Sequence, residues 1–157
     1  MPTTGPNFPS SATGNTNTIG GGTAAWTNPG NITANDGVLA TCSTTLSAVS
    51  DDLVGTGFGF AITSTDTING ITLEVNYKAA QVSRVTETNV RLLKAGTAAG
   101  TDKSTGASLP NALTTVTYGG AADLWGTTWS PSDINNANFG AATVYTGGVV
   151  GSITSVD

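Results

Sequence analysis

Between Ile68 and Tyr77 the chain alternates: Ile71, Leu73, Val75 and Tyr77 interleave with Thr72, Glu74, Asn76 and, one step on, Lys78. A two-residue period sends one set to a dry face and the other to water, which predicts a half-buried β-strand. Shorter β-like runs cover residues 24–26, 38–44, 57–62, 90–94, 113–118, 139–146 and 151–156. Turn signals separate them: Asn28-Pro29-Gly30-Asn31, Asn35-Asp36-Gly37 and Asn69-Gly70. One segment breaks the pattern. In Ser130-Pro131-Ser132-Asp133-Ile134-Asn135, Ser stands at an N-cap, Pro at N1 and Asp at N3, which predicts a short helical turn. About eight strands and one turn predict an all-β chain, a single jelly-roll-like β-sandwich. An immunoglobulin-like sandwich is the alternative, but the Cys and Trp spacing of immunoglobulin domains is missing.

Residues 1–22 read differently from 23–157. They are rich in Pro, Gly, Ser, Thr and Asn, with Phe8 and Ile19 the only large apolar residues after Met1. Such a segment cannot by itself bury enough apolar surface to offset its ordering entropy. The expectation is an extended arm held by something outside the chain's own core, with Phe8 and Ile19 as its contacts.

Composition then removes whole classes of function. Charged residues make up 10% of the 157, the net charge is −5, and there is no histidine. Lack of His removes most hydrolase triads and most zinc sites. An acidic chain is a poor nucleic-acid binder, and no run of about 18 apolar residues predicts a membrane span. The single Cys42 cannot form an internal disulfide and reads as a small buried hydrophobe. Neither a phosphate-binding Gly loop nor a Ser elbow is present, and no carboxylate pair is singled out for glycoside hydrolysis. The reading is a non-enzyme with no cofactor and no metal. The acidic groups at Asp51-Asp52 and Asn35-Asp36-Gly37 match no calcium-loop spacing.

The stretch from Tyr118-Gly119-Gly120 through Asp123-Leu124-Trp125-Gly126, Trp129-Ser130-Pro131-Ser132-Asp133 and Phe139-Gly140 resembles a pattern in small β-sandwich structural proteins of tailed bacteriophages. Those include capsid decoration (cement) subunits and modules of tail appendages. Trp26, Asn28-Pro29, Asn35-Asp36-Gly37 and Phe58-Gly59-Phe60 fit the same pattern, so the resemblance spans most of residues 24–156. It implies a virion structural protein that braces the major capsid protein lattice on the capsid surface, commonly as a homotrimer. The resembling proteins continue past Ser155-Val156-Asp157 into a further strand; either the sequence given is cut before it, or the sheet lacks an edge strand that another chain would supply.

Two groups of side chains are candidate contacts. All five cations, Lys78, Arg84, Arg91, Lys94 and Lys103, fall within 26 residues; that segment carries a net +3 against −8 for the rest. On one hairpin they would form a basic patch for an acidic capsid surface; otherwise they are charges that blunt a sheet edge. Trp125 and Trp129 are either a sugar-stacking platform or plugs that close the end of the sandwich. Exposure of the two tryptophans would favour a second function, a receptor- or glycan-binding module of a tail fibre or adhesin. A filament subunit that donates its arm is a third, opposed by the low hydrophobicity of residues 1–22.

Overall fold

The alternation that starts at Ile71 continues through a strand whose dry side, Val75, Tyr77 and Ala79, is buried between two sheets. In the computed structural model, residues 3–14, 16–148 and 152–156 are described. The strands are β1 (Ser11–Gly14), β2 (Trp26–Thr27), β3 (Ala40–Thr44), β4 (Leu53–Thr56), β5 (Thr72–Ala79), β6 (Val85–Lys94), β7 (Thr97–Ala99), β8 (Thr114–Gly119), β9 (Gly140–Gly147) and β10 (Ser152–Val156). They form two five-stranded sheets, ordered β1-β4-β9-β6-β7 and β2-β3-β10-β5-β8. Every pair of named strands is antiparallel. Without the short edge strands β1 and β2, the remaining eight change sheet at every step except the β6–β7 hairpin, as in a jelly roll. The fold is an all-β sandwich.

The interior between the sheets is aromatic and aliphatic. Trp26 meets Tyr145 edge-on at 6.0 Å, and Tyr77 meets Tyr145 at 6.1 Å. A polar tie crosses this interior. Glu87 of β6, only 4% exposed, accepts hydrogen bonds from the hydroxyls of Tyr77 on β5 and Tyr118 on β8. Its other oxygen accepts from the Thr105 backbone N–H at 3.0 Å and the Thr105 hydroxyl at 3.1 Å. One carboxylate therefore joins the two sheets and pins the loop between β7 and β8.

Strand β9 reads Gly-Ala-Ala-Thr-Val-Tyr-Thr-Gly and is buried on both faces, as a near-continuous apolar run requires. Its outer side belongs to a second cluster with Val54, Leu93, Ala142, Val144 and Ile19. Ile19 comes from the segment expected to need an outside partner. Fully buried Asp52 holds that segment down: its carboxylate accepts the Ile19 N–H at 2.7 Å and the Gly21 N–H at 2.8 Å. Asn89 donates to the Ile19 carbonyl at 2.8 Å. A Cβ on Gly21 would lie 2.3 Å from the Asp52 carboxylate, so only glycine permits the approach. Residues 11–14 add β1 to the sheet edge, pairing Ser11 with Thr56. The N-terminal segment is thus packed on its own sandwich, and burying Ile19 contributes about 1.5–3 kcal/mol.

The strands differ from the expected runs in two ways. Residues 57–62 form no strand; Gly57 and Gly59 take positive φ (72° and 67°) and turn the chain out of the sheet after β4. Strands β1, β4 and β7 lie outside the expected runs. The helical turn falls where expected, at α1 (Pro131–Ile134), with a reciprocal Ser130–Asp133 capping box.

Candidate functional site

The turn-out after β4 creates the site. Phe58 and Phe60 stack at 6.2 Å with their planes 21° apart, and Phe139 meets both edge-on at 6.0 and 6.1 Å. Trp129 backs Phe139 at 5.6 Å, so the ring ladder runs from the core to the surface. Asn135 clamps the segment like a strand partner: its side chain accepts the Ile62 N–H and donates to the Ile62 carbonyl, both at 2.8 Å. From the N-terminal side, the Asn7 amide donates to the Phe58 carbonyl at 2.7 Å.

Between these segments lies an open trough of about 1290 Å³, walled by residues 3–9 on one side and 58–71 on another. The half-buried rings of Phe58 and Phe60 line it, and so does Phe8, which is 51% exposed. Polar groups come from the edge of the second sheet. Asn76 donates to Asn35 at 3.1 Å and accepts from Thr115, and all three face the trough. The charged side chains along it are Asp66 and Glu74, with no Lys or Arg among its lining residues. Its inner end reaches Leu53, Val75, Leu92, Thr143 and Val156 between the sheets.

The expected contacts land elsewhere. Trp125 is 0% and Trp129 7% exposed. Their indole N–H groups donate to the Ile71 and Leu124 carbonyls, each at 3.0 Å. They plug the sandwich and offer no sugar platform. The five cations form no shared patch, because β5 and β6 belong to different sheets and the turn between them is not a hairpin. Lys78 points outward from β5 and Arg84 lies in the turn. Arg91 donates to the Gly100 carbonyl at 3.0 Å. Lys94 pairs with Asp133 at 3.1 Å and lies 4.9 Å over Trp129. Lys103 pairs with Asp123 at 2.7 Å and lies 5.8 Å from the Trp125 ring. Hydrogen bonds from Lys103 and the Trp125 N–H hold the Asp123 carboxyl below the usual carboxylate range. Ser130 and then Lys94 do the same for Asp133. Arg91, Lys94 and Lys103 are thus fastened to their own fold. Phe8 alone of the candidates faces the trough; the loop carrying Phe58 and Phe60 was missed because its Gly-Phe-Gly-Phe alternation mimics a strand.

No family model and no curated protein matches the chain. Among solved structures it is similar to a CBM4 module, with a TM-score of 0.45, 19% identity, and coverage of 79% of this chain and 82% of that one. It is also similar to the N-terminal cellulose-binding domain of β-1,4-glucanase C from Cellulomonas fimi (TM-score 0.44, 12% identity, 87% of this chain and 81% of that one). The capsid-decoration expectation is corrected by these findings: the similar structures are carbohydrate-binding modules, not virion proteins. The virion, cement and trimer readings fall with it. At TM-scores below 0.5 the likeness says nothing about this chain's ligand, which has to be read from the trough.

Proposed function

We propose that this chain is a non-catalytic glycan-binding module whose site is the trough. The observation that carries the reading is the pairing of the half-buried Phe58–Phe60 stack with an amide, hydroxyl and carboxylate rim. A pyranose ring offers an apolar C–H face that rests on an aromatic ring, and hydroxyls around its edge that need donors and acceptors. Asn35, Asn76 and Thr115 supply both kinds, and Asp66 and Glu74 accept. Ligand sites are commonly concave and mostly apolar with a few placed polar groups, which describes this trough. With no cation along the trough, uronate and sulfated polymers are poor ligands and neutral glycans good ones.

The test is calorimetric titration of the full chain with a panel of soluble neutral and anionic polysaccharides. Binding to at least one neutral polymer is expected. Phe60→Ala should weaken it at least roughly tenfold, a change of about 1.4 kcal/mol, while the far-ultraviolet spectrum stays unchanged. Tight binding of anionic polymers only, or a Phe60→Ala variant that binds as well as the parent, rejects the reading.

A further inference from the structure

A sheet edge is a row of unpaired N–H and C=O groups, and folded chains blunt it with short edge strands or with Lys, Pro or a bulge. Three of the four edges follow that rule by length: β1 has 4 residues, β2 has 2 and β7 has 3. The fourth does not. Strand β8 has 6 residues, Thr-Thr-Val-Thr-Tyr-Gly, with no charge and no proline. It pairs with β5 over residues 72–77 without a bulge. The C-terminal strand β10 offers no edge, because it lies between β3 and β5.

The ladder fixes which groups of β8 are free. The Gly120 backbone N–H donates to the Ile71 carbonyl at 3.1 Å. In that phase residues 114, 116 and 118 aim their backbone groups at β5, and Thr115 and Thr117 aim theirs at the open edge. Among the described residues, no hydrogen bond reaches the backbone N–H or C=O of either threonine from that side. Thr114, Thr115 and Thr117 are exposed and Val116 is half-buried, so the edge is open to a partner.

We infer that this edge is an interface for a second copy of the chain, with β8 pairing β8 antiparallel about a two-fold axis at Val116. The edge is complementary to itself in that register. Thr115 and Thr117 of one copy exchange backbone hydrogen bonds with Thr117 and Thr115 of the other, so each of these free groups is used. Val116 meets Val116 in the non-hydrogen-bonded pair, where side chains come closest, and Thr stands opposite Thr on the outer face. Leu113, 42% exposed, falls opposite Gly119, which has no side chain to obstruct it. No charge meets a like charge along the seam, although the chain carries a net −5. Each copy uses its one long edge in the pair, so assembly closes at two. A single-strand seam buries little area, which makes the dimer weak and reversible. Thr115 also lines the trough, so the two troughs border the seam. The pairing itself does not rest on the glycan-binding reading and is tested with no sugar present.

Sedimentation equilibrium of the full chain from roughly 10 µM to 1 mM is the first test. A monomer–dimer equilibrium is expected, with the dimer prominent at the top of that range. Thr117→Pro removes an N–H that β5 does not use, and an edge strand tolerates proline at such a position. It should weaken the dimer at least roughly tenfold, while tryptophan fluorescence and the melting curve stay close to those of the parent. Val116→Cys tests the register without depending on how the proline is accommodated. The Cα atoms of a non-hydrogen-bonded pair lie about 4.5 Å apart, within disulfide range. Mild oxidation should therefore crosslink Val116→Cys to itself at least roughly tenfold faster than Leu46→Cys, although Leu46 is the more exposed at 60%. Monomer at every concentration, a dimer that a folded Thr117→Pro variant leaves intact, or equal crosslinking of the two cysteine variants overturns the pairing.

Discussion

Replacing Glu87 with leucine removes the acceptor for two buried tyrosine hydroxyls at once. Tyr77 and Tyr118, 3% and 5% exposed, would each keep an O–H with no partner. An orphaned buried donor costs about 1–3 kcal/mol, so the pair costs about 2–6 kcal/mol. Thr105 is exposed and can turn to water. Against this, the desolvation of a carboxylate disappears and a leucine is buried, which returns about 1–2 kcal/mol. At the middle of each range, about 4 against about 1.5 kcal/mol, the net expectation for Glu87→Leu is a loss of about 2.5 kcal/mol. Urea unfolding followed by tryptophan fluorescence reads it well, because all three tryptophans are buried. Adding Tyr77→Phe and Tyr118→Phe removes the orphaned donors and should recover most of the loss, to within about 1 kcal/mol of the parent, since an apolar set can replace a buried polar one. A Glu87→Leu variant within about 1 kcal/mol of the parent, or a triple variant no better than the single, refutes the assignment of this tie.

The same cluster sets an alkaline limit. Burial, and then the hydrogen bond to Glu87, push the Tyr77 hydroxyl up to about 12, and burial also raises Tyr118 and Tyr145 strongly. With folded values above the unfolded value of about 10, this contribution is complete below about pH 10 and is lost as pH rises towards 12. Ordinary tyrosinate titration near pH 10 in the folded protein would contradict it. Asp52→Ala should cost about 2–4 kcal/mol, since two charge-assisted bonds to backbone N–H groups go. It should also speed hydrogen exchange at Ile19 and Gly21 before the rest of the first sheet; unchanged exchange there would show that the segment is held otherwise. Cys42, whose thiol burial and then the Asp51 charge push up to about 11, should resist disulfide reagents at neutral pH until the chain unfolds. Fast labelling of the native protein would place it at the surface.

Much of the sandwich was legible because its strands follow one rule. Alternation fixed the register of 71–77, the apolar run at 139–146 marked a strand, and Ser130-Pro131 with Asp133 marked the helical turn. Sheet membership was not legible. Lys78 and Arg91 are neighbours in sequence, yet the turn between β5 and β6 crosses from one sheet to the other, so a basic segment became scattered charges. Residues 57–62 misled for another reason: Phe58 and Phe60 alternate with glycines as a strand would, while positive φ at those glycines takes the rings out of the sheet. Ile19 went unrecognised as core because its cover is built from Asp52 and Asn89, residues 33 and 70 positions away in the chain. Nothing local in the N-terminal sequence points to either.

The most direct test of the trough as the glycan site is an amide chemical-shift map of the chain titrated with a neutral oligosaccharide from the polymer bound best. The account predicts shifts concentrated at residues 7, 35, 58–62, 69–76 and 115. Shifts centred instead on the turns at 45–48 and 80–84, or on the outer face around Thr41 and Lys78, would contradict it.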